Sequence, residues 1–124
     1  IFPDHQFCRD GGMTAAMMVD LLQKSRTTLS ETIRLLPKRH ILKEKISAPD
    51  GGKTLEKLTI EYAREHIDLT DGLKLYRNNS WGLVRASGTE PIIRIIVDAD
   101  NEENALNLQQ ELLAAVKKDN RQEK

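Results

Sequence analysis

What this sequence lacks narrows its reading first. Cys8 is the only cysteine among 124 residues, so no disulfide closes within the chain, and the usage fits a reducing, cytoplasmic setting. No apolar run approaches the roughly 20 residues needed to span a bilayer, and the first residues do not read as a secretory leader. Net charge is absent too, with Lys+Arg at 19 against Asp+Glu at 19. The chain therefore has no broad field for nucleic acid or an anionic membrane, and any anion must be held by a local site. His5, His40 and His66 are scattered and none stands at ligand spacing with Cys8, so no metal site is read here.

What is present is ordinary for a globular protein: 39% hydrophobic and 31% charged residues. That supports one core-bearing domain with a short appendage. The chain opens at Ile1-Phe2-Pro3 rather than at Met, which reads as a piece of a longer protein.

Asp10-Gly11-Gly12 leads into a helix with Met13, Met17, Met18, Val19, Leu21 and Leu22. Asp10 is read as its N-cap rather than as a catalytic carboxylate. The helix is apolar around most of its circumference, which calls for cover on more than one side. Residues 1–24 are accordingly read as the tail of a preceding domain, and residues 13–22 as a surface for self-association when that domain is missing. A polar break at Lys24–Thr27 precedes Thr28-Leu29-Ser30-Glu31, which has capping-box spacing. The linker helix it starts, 28–36, stops before Pro37.

From Lys38 the pattern changes. Lys38–Ile46 reads as an edge-like strand and Ser47–Gly52 as a loop. Leu55, Leu58, Tyr62 and Ala63 place an amphipathic helix over Lys53–His66. Strands follow at Gly72–Arg77, Trp81–Ala86 and Ile92–Ala99, the first two joined by an Asn78-Asn79-Ser80 turn. Asn101 caps a last helix striped by Ala105, Leu108, Leu112 and Val116. The expected fold is α+β: a four-stranded, mainly antiparallel sheet with two helices on one face, preceded by a helical remnant.

The chemistry gathers in Arg85-Ala86-Ser87-Gly88-Thr89-Glu90-Pro91, between two hydrophobic runs. Arg85 offers a planar fork to two phosphate oxygens, Ser87 and Thr89 offer hydroxyls, and Gly88 frees the backbone to turn amides toward an anion. Arg94 adds a second cation, or pairs with Glu90 or Asp98. Glu90 itself needs a partner, because a bare carboxylate repels phosphate. Gly51-Gly52-Lys53-Thr54 ends like the Walker A phosphate-binding loop of nucleoside triphosphatases, but Ser47 replaces the required first glycine and Pro49 removes an amide. A turn before a helix accounts for it better. Trp81 and Tyr76 fit hairpin packing.

Residues 81–94, Trp81-Gly82-Leu83-Val84-Arg85-Ala86-Ser87-Gly88-Thr89-Glu90-Pro91-Ile92-Ile93-Arg94, resemble the C-terminal signature of the α-D-phosphohexomutases. That family includes phosphoglucomutase/phosphomannomutase and phosphoglucosamine mutase. Ile1–Gln6 and Arg9-Asp10-Gly11 resemble the end of the family's third domain. The resemblance implies that 25–124 is the fourth domain, with a fold like the TATA-binding protein. It implies that Arg85, Ser87, Gly88 and Thr89, with Arg94 as a further candidate, hold the substrate phosphate that is not transferred.

The family's phosphoserine loop, Asp-rich magnesium loop and sugar-recognition loop are absent from these residues. The resemblance therefore puts Mg²⁺, the phosphoserine and every catalytic residue outside this chain, and implies that the chain alone is inactive. The parent would interconvert the 1- and 6-phosphates of a hexose or hexosamine through a bisphosphate. Its partners would be that phosphosugar and the missing N-terminal domains, with closure hinged at Ser25–Thr28. Glucose, mannose and glucosamine phosphates remain open as substrates. The alternative is a stand-alone anion-binding or protein-interaction module; neutral charge and a single Trp speak against nucleic acid.

Overall fold

Capping chemistry sets both helices at the start of the chain. The computed structural model describes residues 1–122, and it divides after Pro37 into two units, Ile1–Pro37 and Lys38–Lys124. In the first unit, helix α1 (Gly11–Ser25) begins where Asp10 Oδ1 accepts the Met13 amide at 2.8 Å. That bond, together with bonds from Gln6 and His5, holds the Asp10 carboxyl below its ordinary range against the opposing pull of partial burial. Arg26 ends α1 in the left-handed region at φ 54°.

Helix α2 (Leu29–Arg34) carries the expected capping box. Thr28 Oγ1 accepts from the Glu31 amide at 3.2 Å, and Glu31 Oε2 accepts from the Thr28 amide at 2.7 Å. No residue of α1 is buried, and Val19 keeps 64% of its surface exposed. The apolar circumference read from the sequence finds no cover within its own unit.

The second unit is an α+β fold. Strands β1 (His40–Ser47), β2 (Ile67–Asp68), β3 (Leu73–Arg77), β4 (Ser80–Ala86) and β5 (Ile92–Ala99) form one sheet in the order β1-β5-β4-β3-β2. Every adjacent pair is antiparallel. The sheet thus has five strands where four were expected. Ile67 and Asp68 pair with Leu75 and Lys74 of β3. Two residues are too few for alternation to register in a sequence. The strand starts directly after His66, to which the preceding helix was expected to run; helix α3 (Gly51–Glu61) instead ends with Tyr62 as its C-cap.

Alternation then sorts the sheet into two faces. Leu73, Leu75, Val84, Ile93, Ile95, Val97 and Ala99 point one way and are buried. Leu58 and Tyr62, from α3 and its cap, pack on that face together with Ala105, Leu108, Leu112 and Val116 of α4 (Glu102–Gln122). Gly82 sits where α4 presses closest, since a β-carbon there would collide with Leu112 Cδ1. Burying seven such strand side chains, at ~1.5–3 kcal/mol each for the larger ones, is the main force holding the sheet to its helices.

Polar contacts lock the edges of that core. Arg77 on β3 donates from Nε and Nη2 to Glu65 at 2.9 and 2.6 Å and from Nη1 to Glu111 of α4. Tyr62 Oη donates to the same Glu111 at 3.1 Å, and burial followed by that carboxylate pushes the Tyr62 phenol well up. Lys57 of α3 reaches Asp119 of α4 at 2.5 Å.

The other face of the sheet carries Lys43, Lys45, Lys74, Tyr76, Trp81, Leu83, Arg85, Arg94 and Ile96, none of them buried. No helix among the described residues is long and apolar enough to cross a membrane.

Candidate functional site

The β4–β5 hairpin delivers the chemistry to one corner of the open face. Arg85 and Arg94 are direct cross-strand partners, so their side chains leave the sheet on the same side, with Cα atoms about 5 Å apart. The loop that joins their strands is Ser87–Pro91. Ser87 N donates to Ile92 O at 2.9 Å and closes it. Ser87 Oγ accepts from the amides of Thr89 and Glu90 at 3.5 and 3.3 Å. Both bonds are long and therefore weak, and the Ser87 hydroxyl hydrogen is still available to an outside acceptor. Pro91 fixes the exit, and its carbonyl accepts the Ala48 amide at 2.9 Å, tying the loop to the end of β1.

Gly88 does not use the left-handed backbone that glycine permits; among the glycines only Gly72 has a positive φ. A β-carbon built on Gly88 meets nothing within 4 Å. Its absence leaves the loop open on that side, so an anion can come directly against the backbone. The sequence-predicted residues Arg85, Ser87, Gly88, Thr89 and Arg94 thus share one hairpin end.

Each arginine has a carboxylate partner. Arg94 Nη2 donates to Glu90 Oε2 at 3.0 Å. Glu90 is thereby turned onto a guanidinium, and of the two partners considered for Arg94 it is Glu90 that pairs. Asp98 is instead held by Arg39 at 2.5 Å. Arg85 Nη1 donates to Asp71 Oδ2 at 3.0 Å.

Asp71 is the residue that sequence reasoning missed. It lies in the turn ahead of β3, and the next residue, Gly72, takes φ 102° with Val84 O only 2.5 Å from where a β-carbon would be. The signal was the dipeptide Asp71-Gly72 itself, a turn sequence directly before a strand. Both ion pairs are well exposed; the side chains of Arg85 and Asp71 retain 56% and 61% of their surface. Such pairs contribute about 0–1 kcal/mol, so an incoming phosphate dianion can share or replace the carboxylates at small cost. Among the described residues each arginine is committed to its carboxylate through one terminal nitrogen, which leaves further N–H donors to turn toward a ligand.

The aromatic pair lies further along the same face and is engaged in packing. Trp81 and Tyr76 are cross-strand partners, with Lys74 Nζ 4.4 Å above the Trp81 ring and 4.9 Å from that of Tyr76. His66 stacks on Tyr76 at 4.9 Å. Gly51-Gly52-Lys53-Thr54 forms the first turn of α3, and Thr54 is buried. Among the described residues no group of three His, Cys, Asp or Glu side chains converges in a way that would hold a metal ion.

Residues 43–115 match the family model described as phosphoglucomutase/phosphomannomutase, C-terminal domain. The chain is 38% identical over 122 residues to a probable phosphoglucosamine mutase of Methanopyrus kandleri, covering 95% of this chain and 27% of that protein. It is 44% identical over 108 residues to a phosphoglucomutase/phosphomannomutase of Thermococcus kodakarensis, covering 85% of this chain and 24% of that protein. It is 37% identical over 117 residues to a phosphoglucosamine/phosphogalactosamine mutase of Sulfurisphaera tokodaii, covering 90% of this chain and 26% of that protein. The chain thus spans about a quarter of the length of the curated relatives it matches.

Proposed function

Because the chain belongs to the family of phosphoglucomutase/phosphomannomutase C-terminal domains, we propose that it serves a hexose- or hexosamine-phosphate mutase as its phosphate-holding domain. The observation that carries this reading is the side-by-side placement of Arg85 and Arg94 at the mouth of the Ser87–Pro91 loop. Arg85 offers its free guanidinium edge to two oxygens of a phosphate monoester, and Arg94 supplies a second charge-assisted donor. The Ser87 and Thr89 hydroxyls and the loop backbone beside Gly88 complete the contacts. Holding the phosphate in this way fixes the sugar's orientation while other parts of the protein do the chemistry, and positioning accounts for much of the rate in phosphoryl transfer.

In this reading the domain also closes over the bound sugar. Residues 1–24 belong to the preceding domain, whose remainder covers the apolar face of α1, and the protein works in the cytoplasm. Magnesium and the phosphorylated serine are supplied by segments outside this chain, and the chain by itself does not turn over substrate. When bound there, the metal would offset phosphoryl charge.

The test is an amide NMR titration of the 124-residue chain with inorganic phosphate and with glucose 6-phosphate, comparing wild type with Arg85→Ala. Saturable shifts at residues 85–89 and 94 that vanish in the variant are expected. Equal shifts in both proteins, or shifts confined to residues away from the hairpin end, would overturn the reading.

A further inference from the structure

The row that contains the two arginines does not stop at β5. The register places Lys45 of β1 directly opposite Arg94, as Arg94 is opposite Arg85. Lys45, Arg94 and Arg85 therefore stand in line across three strands on the open face, all exposed, spanning about 10 Å. Like charges placed directly opposite each other destabilise a sheet, so three in a row need an offset. Asp71 and Glu90 offset the two arginines. Among the described residues no carboxylate pairs with Lys45. Its neighbour on the same face, Lys43, opposes Ile96, which in turn opposes Leu83 and then Lys74. The next row therefore brings two further lysines, and its one acid, Asp68, stands opposite Lys74 at the far edge of the sheet, four strands away from β1.

We propose that Lys45 is a third cation of the phosphate site. It makes the row Lys45–Arg94–Arg85 a receptor for the dianionic form of a phosphate monoester. This rests on the reading of the hairpin loop as a phosphate site and extends that site across the sheet. The arginines, each shared with a carboxylate, supply directional hydrogen bonds but little net charge. Lys45 supplies the charge that the acids do not offset, and its flexible four-carbon stem lets the ammonium lean over Arg94 toward the ligand. β1 thereby becomes part of the site, and the Ala48–Pro91 backbone bond that ties β1 to the loop fixes the distance between the two.

The experiment is titration of the 124-residue chain with inorganic phosphate, read by amide shifts, for wild type, Lys45→Gln, Lys45→Arg and Arg85→Ala. Removing a unit charge about 7 Å from a dianion in a water-like dielectric weakens binding about five- to tenfold. Lys45→Gln is expected to show that loss, with the amides around Lys45 no longer shifting, while Lys45→Arg stays within about twofold of wild type. All four proteins should keep a dispersed spectrum, since Lys45 and Arg85 are exposed. Wild-type affinity in Lys45→Gln alongside lost binding in Arg85→Ala would overturn the role of Lys45 and leave the loop site standing. Wild-type affinity in both variants, or no saturable binding by the wild-type chain, would overturn the loop site and Lys45 with it.

Discussion

Replacing Gly72 with alanine tests how tightly the fold and the candidate site are joined. Two separate effects act on the new methyl. The backbone at φ 102° lies outside the region that residues with a side chain readily adopt, at a cost of about 1–3 kcal/mol. The β-carbon would also stand 2.5 Å from Val84 O, 3.2 Å from Arg85 Cα and 3.3 Å from Arg85 Cβ. Two of those three atoms are backbone of the neighbouring strand, so no side-chain rotation relieves the overlap. Forced overpacking of this kind costs about 1–3 kcal/mol. Together the two effects amount to about 2–6 kcal/mol, a large share of the 5–15 kcal/mol that typically stabilises a domain.

Equilibrium urea unfolding followed by fluorescence reads this directly, because Trp81 is the only tryptophan and lies on β4. The midpoint should fall by about 1–3 M with an unchanged slope. Gly88→Ala is the matched control. Its β-carbon meets nothing and its φ is not positive, so folding should change by no more than about 0.5 kcal/mol. The same methyl would nevertheless stand where a phosphate approaches the loop, and affinity for inorganic phosphate should drop. A Gly72→Ala midpoint equal to wild type, or a Gly88→Ala protein as destabilised as Gly72→Ala, would refute the reasoning from backbone conformation and close approach.

The contact between Gly82 and Leu112 predicts non-additivity. Gly82→Ala alone should cost about 1–3 kcal/mol by overpacking and Leu112→Ala alone about 2–5 kcal/mol by leaving a cavity, whereas the double variant should cost clearly less than their sum, because the smaller residue on α4 makes room for the new methyl; additive urea midpoints would show that the two do not touch in solution. The Lys57 ammonium, through its 2.5 Å bond, holds the Asp119 carboxyl below its usual range, against the upward pull of burial. A depressed folded-state value stabilises the fold above the unfolded carboxylate's pKa of about 3.9 and loses that stability as pH falls through the lower folded value. Asp119→Asn should therefore lower the urea midpoint at neutral pH and lose less between pH 7 and pH 3 than wild type does; parallel pH dependences would remove Asp119 from the acid response.

Local chemistry was readable and pairing between distant segments was not. Asp10, Thr28 and Asn101 were each legible as helix caps because a cap bonds within three residues of itself. Strands β4 and β5 were legible from dense, alternating side chains bounded by turn residues. The edge strand β2 was not, because Ile67 and Asp68 are extended only through their pairing with β3. Tyr62 also continued the helical spacing after the backbone had left the helix. The site divides along the same line. Glu90 lies four residues before Arg94 and could be weighed as its partner from the sequence, whereas Asp71 lies fourteen residues before Arg85 and meets it only because β3 and β4 pair.

Register is the physical link between these two kinds of information. A slip of one residue in β5 would turn Ile93, Ile95 and Val97 away from α4 and send Arg94 into the core. It would also separate Arg94 from Arg85. The burial of those three side chains, none of which retains measurable exposure, therefore holds the two guanidinium groups side by side. An affinity for phosphate at this hairpin end is set by the packing of the opposite face as much as by the loop that carries the hydroxyls.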